Sequence, residues 1–442
     1  MQYKPYSLQN FKTIPQVKNL SKEQIQAIEI VGSTLPFRTN NYIVEQLIDW
    51  SNIPNDPMFI ATFPQKDMLK PDDYRKVKSL YESGADSKVI KHATDEIRLR
   101  LNPHPAGQLK YNIPVFKDKK LYGVQYKYRE TILFFPNQGQ TCHAFCTFCF
   151  RWPQFTDIKE LKISSSEIDS LINYIKAHPE ITDVLFTGGD SLVMKTEILA
   201  RLIEPLLTDN LPYLQTIRIG TRALSYWPYR FVTDKDADEL LSLFQKVRQY
   251  GKQLTLMVQF NHPIELETDI VKEAICKIQK AEVVIRTQSP LLRHINNSPQ
   301  IWAEMWRRQV SLNCIPYYMF IARNTGPHQY FSLPLIEAWQ IFKQAYQSVS
   351  GLCRTVRGPV MSCLPGKVQI IGVIEVRGDK VIVLNMIQGR NPEWVGRPFL
   401  AEFSDDARWY TDLKPAFGEK GFFFQDELES LLESGETEDD YE

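Results

Sequence analysis

Ser164-Ser-Ser-Glu-Ile-Asp-Ser-Leu-Ile-Asn-Tyr-Ile-Lys-Ala177, followed closely by Val184-Leu-Phe-Thr-Gly-Gly-Asp190, carries the pattern that decides the fold. The first segment has helical periodicity and opens with Ser164-x-x-Glu167, the layout of a capping box. The second is a short apolar strand ending in glycines. The same alternation continues through Thr216-Ile-Arg-Ile-Gly220, Leu254-Thr-Leu-Met-Val258, Val283-Val-Ile-Arg286 and Tyr317-Tyr-Met-Phe-Ile321, with amphipathic stretches between them. Strand and helix in alternation over more than 200 residues predict a parallel sheet, open or closed into a barrel.

Working outward, residues 1–110 mix polar helical patterns with proline turns such as Leu101-Asn-Pro-His-Pro-Ala-Gly107, so a helical N-terminal extension is expected. The α/β region is assigned to 111–350. Residues 351–425 turn to strand patterns, with Val368–Val376 and Lys380–Leu384 reading as a β-hairpin across Arg377-Gly-Asp379. Residues 426–442 are expected to be a disordered acidic tail.

The 442 residues carry 52 basic and 52 acidic side chains, and this balance argues against a nucleic-acid partner bound through a broad basic surface. With 43% hydrophobic and 24% charged residues the composition is that of a soluble globular chain. No stretch approaches the roughly 20 apolar residues of a membrane span, and no signal-peptide layout opens the sequence, so a cytoplasmic location is expected.

Three of the seven cysteines fall in one loop, Cys142-His-Ala-Phe-Cys146-Thr-Phe-Cys149. An odd number with one tight cluster points to metal chemistry rather than to cross-linking. Thiolates suit iron–sulfur clusters, and three of them leave one iron of a four-iron cluster open. The competing reading is a structural zinc formed by these cysteines and His143, but adjacent Cys142 and His143 would strain to ligate one ion and no second ligand pair occurs. Cys276, Cys314, Cys353 and Cys363 read as small buried hydrophobes.

The C-x3-C-x2-C spacing resembles the signature of the radical S-adenosylmethionine (SAM) superfamily. That resemblance implies a partial (β/α)6 barrel and a [4Fe–4S] cluster on Cys142, Cys146 and Cys149, with SAM on the open iron. Thr187-Gly188-Gly189-Asp190, taken alone a turn, is similar in position to the superfamily's SAM-binding glycine motif. Gln259 and Gln288 match SAM contacts by the same resemblance.

The order of motifs over about 100–370 resembles lysine 2,3-aminomutase. Lys367 lies in Pro365-Gly-Lys367, by itself an ordinary surface turn; the resemblance makes it the lysine bound to pyridoxal phosphate (PLP). The family pattern Arg-Tyr-x-x-Arg becomes Lys127-Tyr128-Arg129-Glu130-Thr131, which puts Lys127 and Tyr128 at the PLP phosphate with Arg129 as a substitute cation. Arg151 matches the arginine that pairs with the substrate α-carboxylate. Arg323 replaces an aspartate that holds the distal ammonium of lysine, and the second such aspartate falls near Val360. Glutamate 2,3-aminomutases are similar in carrying a cation there.

The expected activity is therefore a 2,3-aminomutase, an isomerase moving an α-amino group to the β-carbon of an anionic or polar, glutamate-like amino acid. A reducing electron donor such as flavodoxin or ferredoxin is implied, a homo-oligomer is compatible, and no membrane partner is expected. No cysteine follows Cys363, so the C-terminal zinc of many lysine aminomutases is not expected. Two other readings stay open: a radical SAM epimerase or dehydrogenase without PLP, and a non-catalytic iron–sulfur electron carrier.

Overall fold

The structure, a computed structural model, describes residues 1–437. Its centre is a sheet of eleven strands: β1 (Val124–Tyr128), β2 (Thr131–Phe134), β3 (Asp183–Phe186), β4 (Thr216–Thr221), β5 (Gln253–Gln259), β6 (Val284–Leu291), β7 (Ile315–Ile321), β8 (Arg357–Ser362), β9 (Gly366–Val376), β10 (Asp379–Gly389) and β11 (Pro398–Glu402). Every strand pairs with its neighbours in chain order. β2 to β8 run parallel, and β1, β9, β10 and β11 extend the sheet antiparallel.

Six helices make the crossovers: α4 (Ile168–Ala177), α5 (Thr196–Thr208), α6 (Ala237–Gln249), α7 (Asp269–Lys280), α8 (Pro299–Ser311) and α9 (Leu335–Gln347). Strictly sequential parallel order with one hand of crossover puts all the helices on one face, so the sheet curls with the other face inside. This is a partial (β/α)6 barrel.

Burial follows the curl. In β6 the residues Ile285, Thr287, Ser289 and Leu291 are buried toward the helices, where Thr287 Oγ1 bonds Gln309 of α8 at 2.8 Å. The alternate residues, Arg286 and Gln288 among them, face the interior and are less covered. In α7 the buried Val271, Ala274, Ile275 and Ile278 recur at i, i+3, i+4 and i+7, forming one apolar stripe against the strands.

The curl is completed by side chains rather than by strand pairing. Lys127 Nζ donates to the carbonyl of Cys363 just after β8, and Arg390, just after β10, reaches the Tyr111 carbonyl at 3.1 Å and Asn112 Oδ1 at 2.7 Å. The first strand is thereby brought against the start of β9.

The N-terminal extension holds α1 (Lys22–Thr34), α2 (Pro71–Glu82) and α3 (Ser87–Arg100), together with a strand pair, Pro5–Ser7 against Arg38–Asn40. α1 begins at a complete capping box between Ser21 and Gln24. Ile30, Val31, Val77 and Ile97 pack with Leu292, Ile295 and Phe331 from loops that follow β6 and β7. The extension thus lies over the C-terminal ends of the barrel strands.

Three expectations change. The capping box at Ser164 does not form: α4 starts at Ile168, because Ser165 is taken up by strand-like bonds with Phe135 (2.8 Å) and Asn137 (3.0 Å). The acidic tail is helical over α10 (Gln425–Thr437), docked where Glu427 accepts the Trp394 indole N–H at 2.7 Å and Leu428 is buried; 438–442 lie outside the described residues. Cys276 is exposed, while Cys314, Cys353 and Cys363 are buried. Among the described residues no helix is long and apolar enough to cross a membrane.

Candidate functional site

The cysteine loop leaves the C-terminal end of β2 and is held by the extension. Tyr3 and Asn40 donate to the His143 carbonyl at 2.7 and 3.2 Å. Arg38 bonds Thr141 Oγ1 at 2.7 Å, its carbonyl accepts the Phe145 N–H at 2.8 Å, and the Ala61 carbonyl accepts the Thr147 N–H at 3.0 Å. The loop's backbone polar groups are met by segments far upstream in the chain, from Tyr3 to Ala61, as buried backbone requires.

All three thiols resist ionisation as free groups. Burial, then the neighbouring Cys146, pushes Cys149 up to about 12, and burial, then Asp190 and the other two thiols, raises Cys142. Buried thiols raising one another's pKa are suited to coordination by metal, which takes up the thiolate charge. Among the described residues no three His, Cys, Asp or Glu side chains converge on one point as the ligands of a single ion would. Thiolates binding separate irons of a cluster need not converge in that way. Arg222, at the end of β4, lies beside these thiols, stacked 3.8 Å above the Tyr226 ring and paired with buried Glu265.

Thr187, Gly188, Gly189 and Asp190 follow β3 directly. Gly188 has φ +134, and a Cβ there would strike the Gln140 carboxamide; at Gly189 it would run into the Thr141 backbone. These glycines let the β3 turn close on the entry to the cysteine loop. The Asp190 N–H donates to Thr141 O at 2.7 Å, and its carboxylate accepts from Leu192 N–H (3.0 Å), Thr221 Oγ1 (2.8 Å) and Arg222 N–H (2.7 Å). Asp190 therefore clamps three loops together and its carboxylate is not presented to a ligand. Gln259, the last residue of β5, is the register partner of Gln288 within β6, and Gln259 donates to Asn261 at 3.0 Å.

Beyond the cysteine loop is a group of cations. Arg151 lies over the rings of Phe135 (4.5 Å) and Phe150 (4.9 Å), and Arg323 shares the Phe150 ring at 4.4 Å. Burial, then each other's charge for Arg151, lowers Arg151 to about 9; burial lowers Arg323 to about 10. Arg323 donates to Ser362 Oγ at 2.7 Å, so Ser362, rather than Val360, is the β8 side chain that meets it; Val360 is fully buried.

Lys367 is the second residue of β9, bonded to the Gln388 carboxamide, 4.7 Å from the Tyr128 ring and 5.3 Å from that of Tyr318. Burial, followed by Arg218, Arg323 and Arg357, lowers its amine to about 7. Lys127 and Tyr128 adjoin it, and the Tyr128 hydroxyl is buried without a partner. Arg129 does not join them: it is exposed on the β1–β2 turn, with its carbonyl accepting from Tyr126. Thr131 is committed to Asp183 at 2.9 Å. The nearby cation is instead Arg390, which no local motif marks, because the sheet register that sets Gly389 opposite Gly366 brings it in.

The site is thus the C-terminal mouth of an α/β partial barrel, with three thiols on one side and a lysine among arginines on the other. No family model matches the chain. A protein of Aquifex aeolicus, provisionally named as an L-lysine 2,3-aminomutase, is 28% identical over 90% of this chain and 92% of its own length. The L-lysine 2,3-aminomutase of Haemophilus influenzae is 32% identical over 52% of this chain, which spans 63% of that protein. The glutamate 2,3-aminomutase of Clostridioides difficile is 28% identical over 49% of this chain, which spans 48% of it. A solved radical SAM methyltransferase from Sphaerobacter thermophilus is 11% identical, covering 54% of this chain and 68% of its own, at a TM-score of 0.34, too slight a likeness to bear on the fold. The chain is a homologue of enzymes named lysine 2,3-aminomutase and glutamate 2,3-aminomutase.

Proposed function

We propose that this chain is a radical SAM, PLP-dependent 2,3-aminomutase acting on an anionic α-amino acid, with glutamate the first candidate. The observation that carries the substrate is the pair Arg151 and Arg323, which share the Phe150 ring and neither of which is ion-paired with a carboxylate among the described residues. Mostly buried cations without counter-ions are costly unless an anion joins them.

Cys142, Cys146 and Cys149 would hold a [4Fe–4S] cluster that with SAM would supply a hydrogen-abstracting radical, and Lys367 would hold PLP, whose conjugated imine would support movement of the amino group between the substrate's α- and β-carbons. The chain's own residues bind and orient. Arg151, separated from Cys149 by one residue, offers its guanidinium to the α-carboxylate; Arg323, across Phe150, offers a second to the side-chain carboxylate. Phe150 shields both guanidiniums from water, and Phe135 shields that of Arg151. Lys367, its amine lowered to about 7, is about half neutral at pH 7 and can act as a nucleophile without a separate base.

Lysine fits poorly. Two like unit charges about 4 Å apart oppose each other by about 4 kcal/mol at an effective dielectric of about 20, enough to reduce binding roughly a thousandfold. The test is anaerobic reconstitution followed by dithionite and SAM with glutamate or lysine. β-Glutamate is the expected product, and β-lysine as the favoured product overturns the substrate assignment. A SAM-dependent change in the cluster's EPR spectrum is expected. Protein that takes up no PLP, with unchanged activity in Lys367→Ala, would overturn the PLP assignment and favour the epimerase or dehydrogenase reading.

A further inference from the structure

The turn that carries Lys367 is gripped by cations at consecutive residues. Lys127 Nζ donates to the Cys363 carbonyl, and Arg390 Nε donates to the next one, Leu364, at 3.0 Å. The Arg390 backbone N–H takes the Pro365 carbonyl at 3.0 Å. The far end of its guanidinium is fixed by the Tyr111 carbonyl and by Asn112 Oδ1. Every one of these acceptors is neutral.

Three of the five guanidinium N–H groups are used in this way, which leaves donors on a planar fork already locked in orientation. Lys127 likewise has donors beyond the one given to Cys363. Beside them stands the Tyr128 hydroxyl, buried and unpartnered, on a ring faced by Lys127 at 5.5 Å and Lys367 at 4.7 Å. Two cations and an orphan phenol without a carboxylate form an unmet demand for acceptors. A phosphate monoester meets it, since it brings close to two negative charges and three acceptor oxygens, whereas one carboxylate would leave a cation unbalanced.

We infer that Lys127, Tyr128 and Arg390 form a phosphate-monoester site beside Lys367, in which Arg390 supplies the arginine that neither Arg129 nor position 131 provides. This rests on the proposed role of Lys367 in holding PLP. The strand register explains the supply: Lys367 pairs with Gln388 and Gly366 with Gly389, so the end of β10 delivers Arg390 to the turn that holds the lysine. Gly389 is required there, because a Cβ would contact the Asn391 carbonyl at 2.7 Å and the Trp394 ring at 3.3 Å.

The test titrates apo-protein with PLP and, separately, with pyridoxal, which has the same aldehyde and ring but no phosphate, following the visible band of the lysine-bound ligand. In Arg390→Gln the Kd for PLP is expected to rise about 10- to 100-fold while that for pyridoxal stays within about twofold. Arg390→Lys, which keeps the charge and loses the fork, should fall between, and thermal melting shows that both variants fold. An Arg390→Gln chain that keeps the wild-type preference for PLP over pyridoxal overturns the site. Equal weakening of both ligands also overturns it, by making Arg390 only a strap for the turn. Should wild type take up neither aldehyde, the PLP reading of Lys367 fails; the phosphate site is then decided by inorganic phosphate, which must raise the wild-type Tm and not that of Arg390→Gln.

Discussion

Lys367 shows how far a residue's chemistry depends on neighbours that its local sequence does not contain. Burial first, then the charges of Arg218, Arg323 and Arg357, bring its amine to about 7. Only the neutral amine attacks a carbonyl, so PLP uptake by apo-protein should climb through about pH 7 and level off by about pH 8. A rate still rising toward pH 10, as for a solvated lysine with pKa about 10.4, would contradict this environment. The sign for stability follows. Between about pH 7 and 10.4 the unfolded chain holds a proton that the folded chain has released, so stability rises with pH across that window, and the cost is complete below it. Arg323 allows a second residue-scale expectation. Losing one charge-assisted contact of about 1.5–3 kcal/mol, Arg323→Ala should lower kcat/KM for glutamate about 10- to 150-fold, and an unchanged value would remove Arg323 from the substrate site. The cluster of Cys142, Cys146 and Cys149 stands out because its spacing is local, whereas Lys367, by itself an ordinary turn lysine, is marked only by the resemblance in the order of motifs. Arg390, Ser362 and Gln388 were not legible, because strand pairing brings them in from separate segments.

At the scale of elements, the strands were legible from their apolar runs, while the boundaries were set by partners. Ser164-x-x-Glu167 has a capping layout, yet Phe135 and Asn137 claim Ser165 for strand-like bonds and the helix starts later. The acidic segment after Phe424 lacks counter-charges of its own, yet Glu427 finds the Trp394 indole and Asp426 and Glu427 suit a helix N-terminus. The turn after β3 was read as an approach to a ligand, and the structure adds an approach of backbone to backbone. Gly189→Ala makes that measurable. Its Cβ would displace the Thr141 backbone, where overpacking typically costs about 1–3 kcal/mol, so Tm should fall and the SAM-induced EPR change should weaken together. A variant with wild-type melting and a wild-type EPR response would show that the turn has slack.

Over the whole molecule, the N-terminal extension and the barrel share the work of holding the cysteine loop, and nothing in the loop's own sequence announces that. Asn40 is the tie among the three parts. Its buried side chain donates to Tyr226 O at 2.9 Å and His143 O at 3.2 Å, and accepts the Ile43 N–H at 3.1 Å. Asn40→Ala would take this donor from the Tyr226 carbonyl and this acceptor from the Ile43 N–H, and leave the His143 carbonyl to Tyr3 alone, at about 1–3 kcal/mol for each unmet group and less than additively in sum. Lower stability alone would not prove a role in the loop, so a variant that destabilises elsewhere is the comparison. Ser21→Ala removes the α1 cap, costs about 1 kcal/mol, and touches nothing in the loop. After anaerobic reconstitution, Asn40→Ala should lose iron and sulfide to a chelator several times faster than wild type, and Ser21→Ala should lose them at the wild-type rate. Equal loss from both would mean that retention merely tracks global stability, and that the extension is a cover rather than a brace.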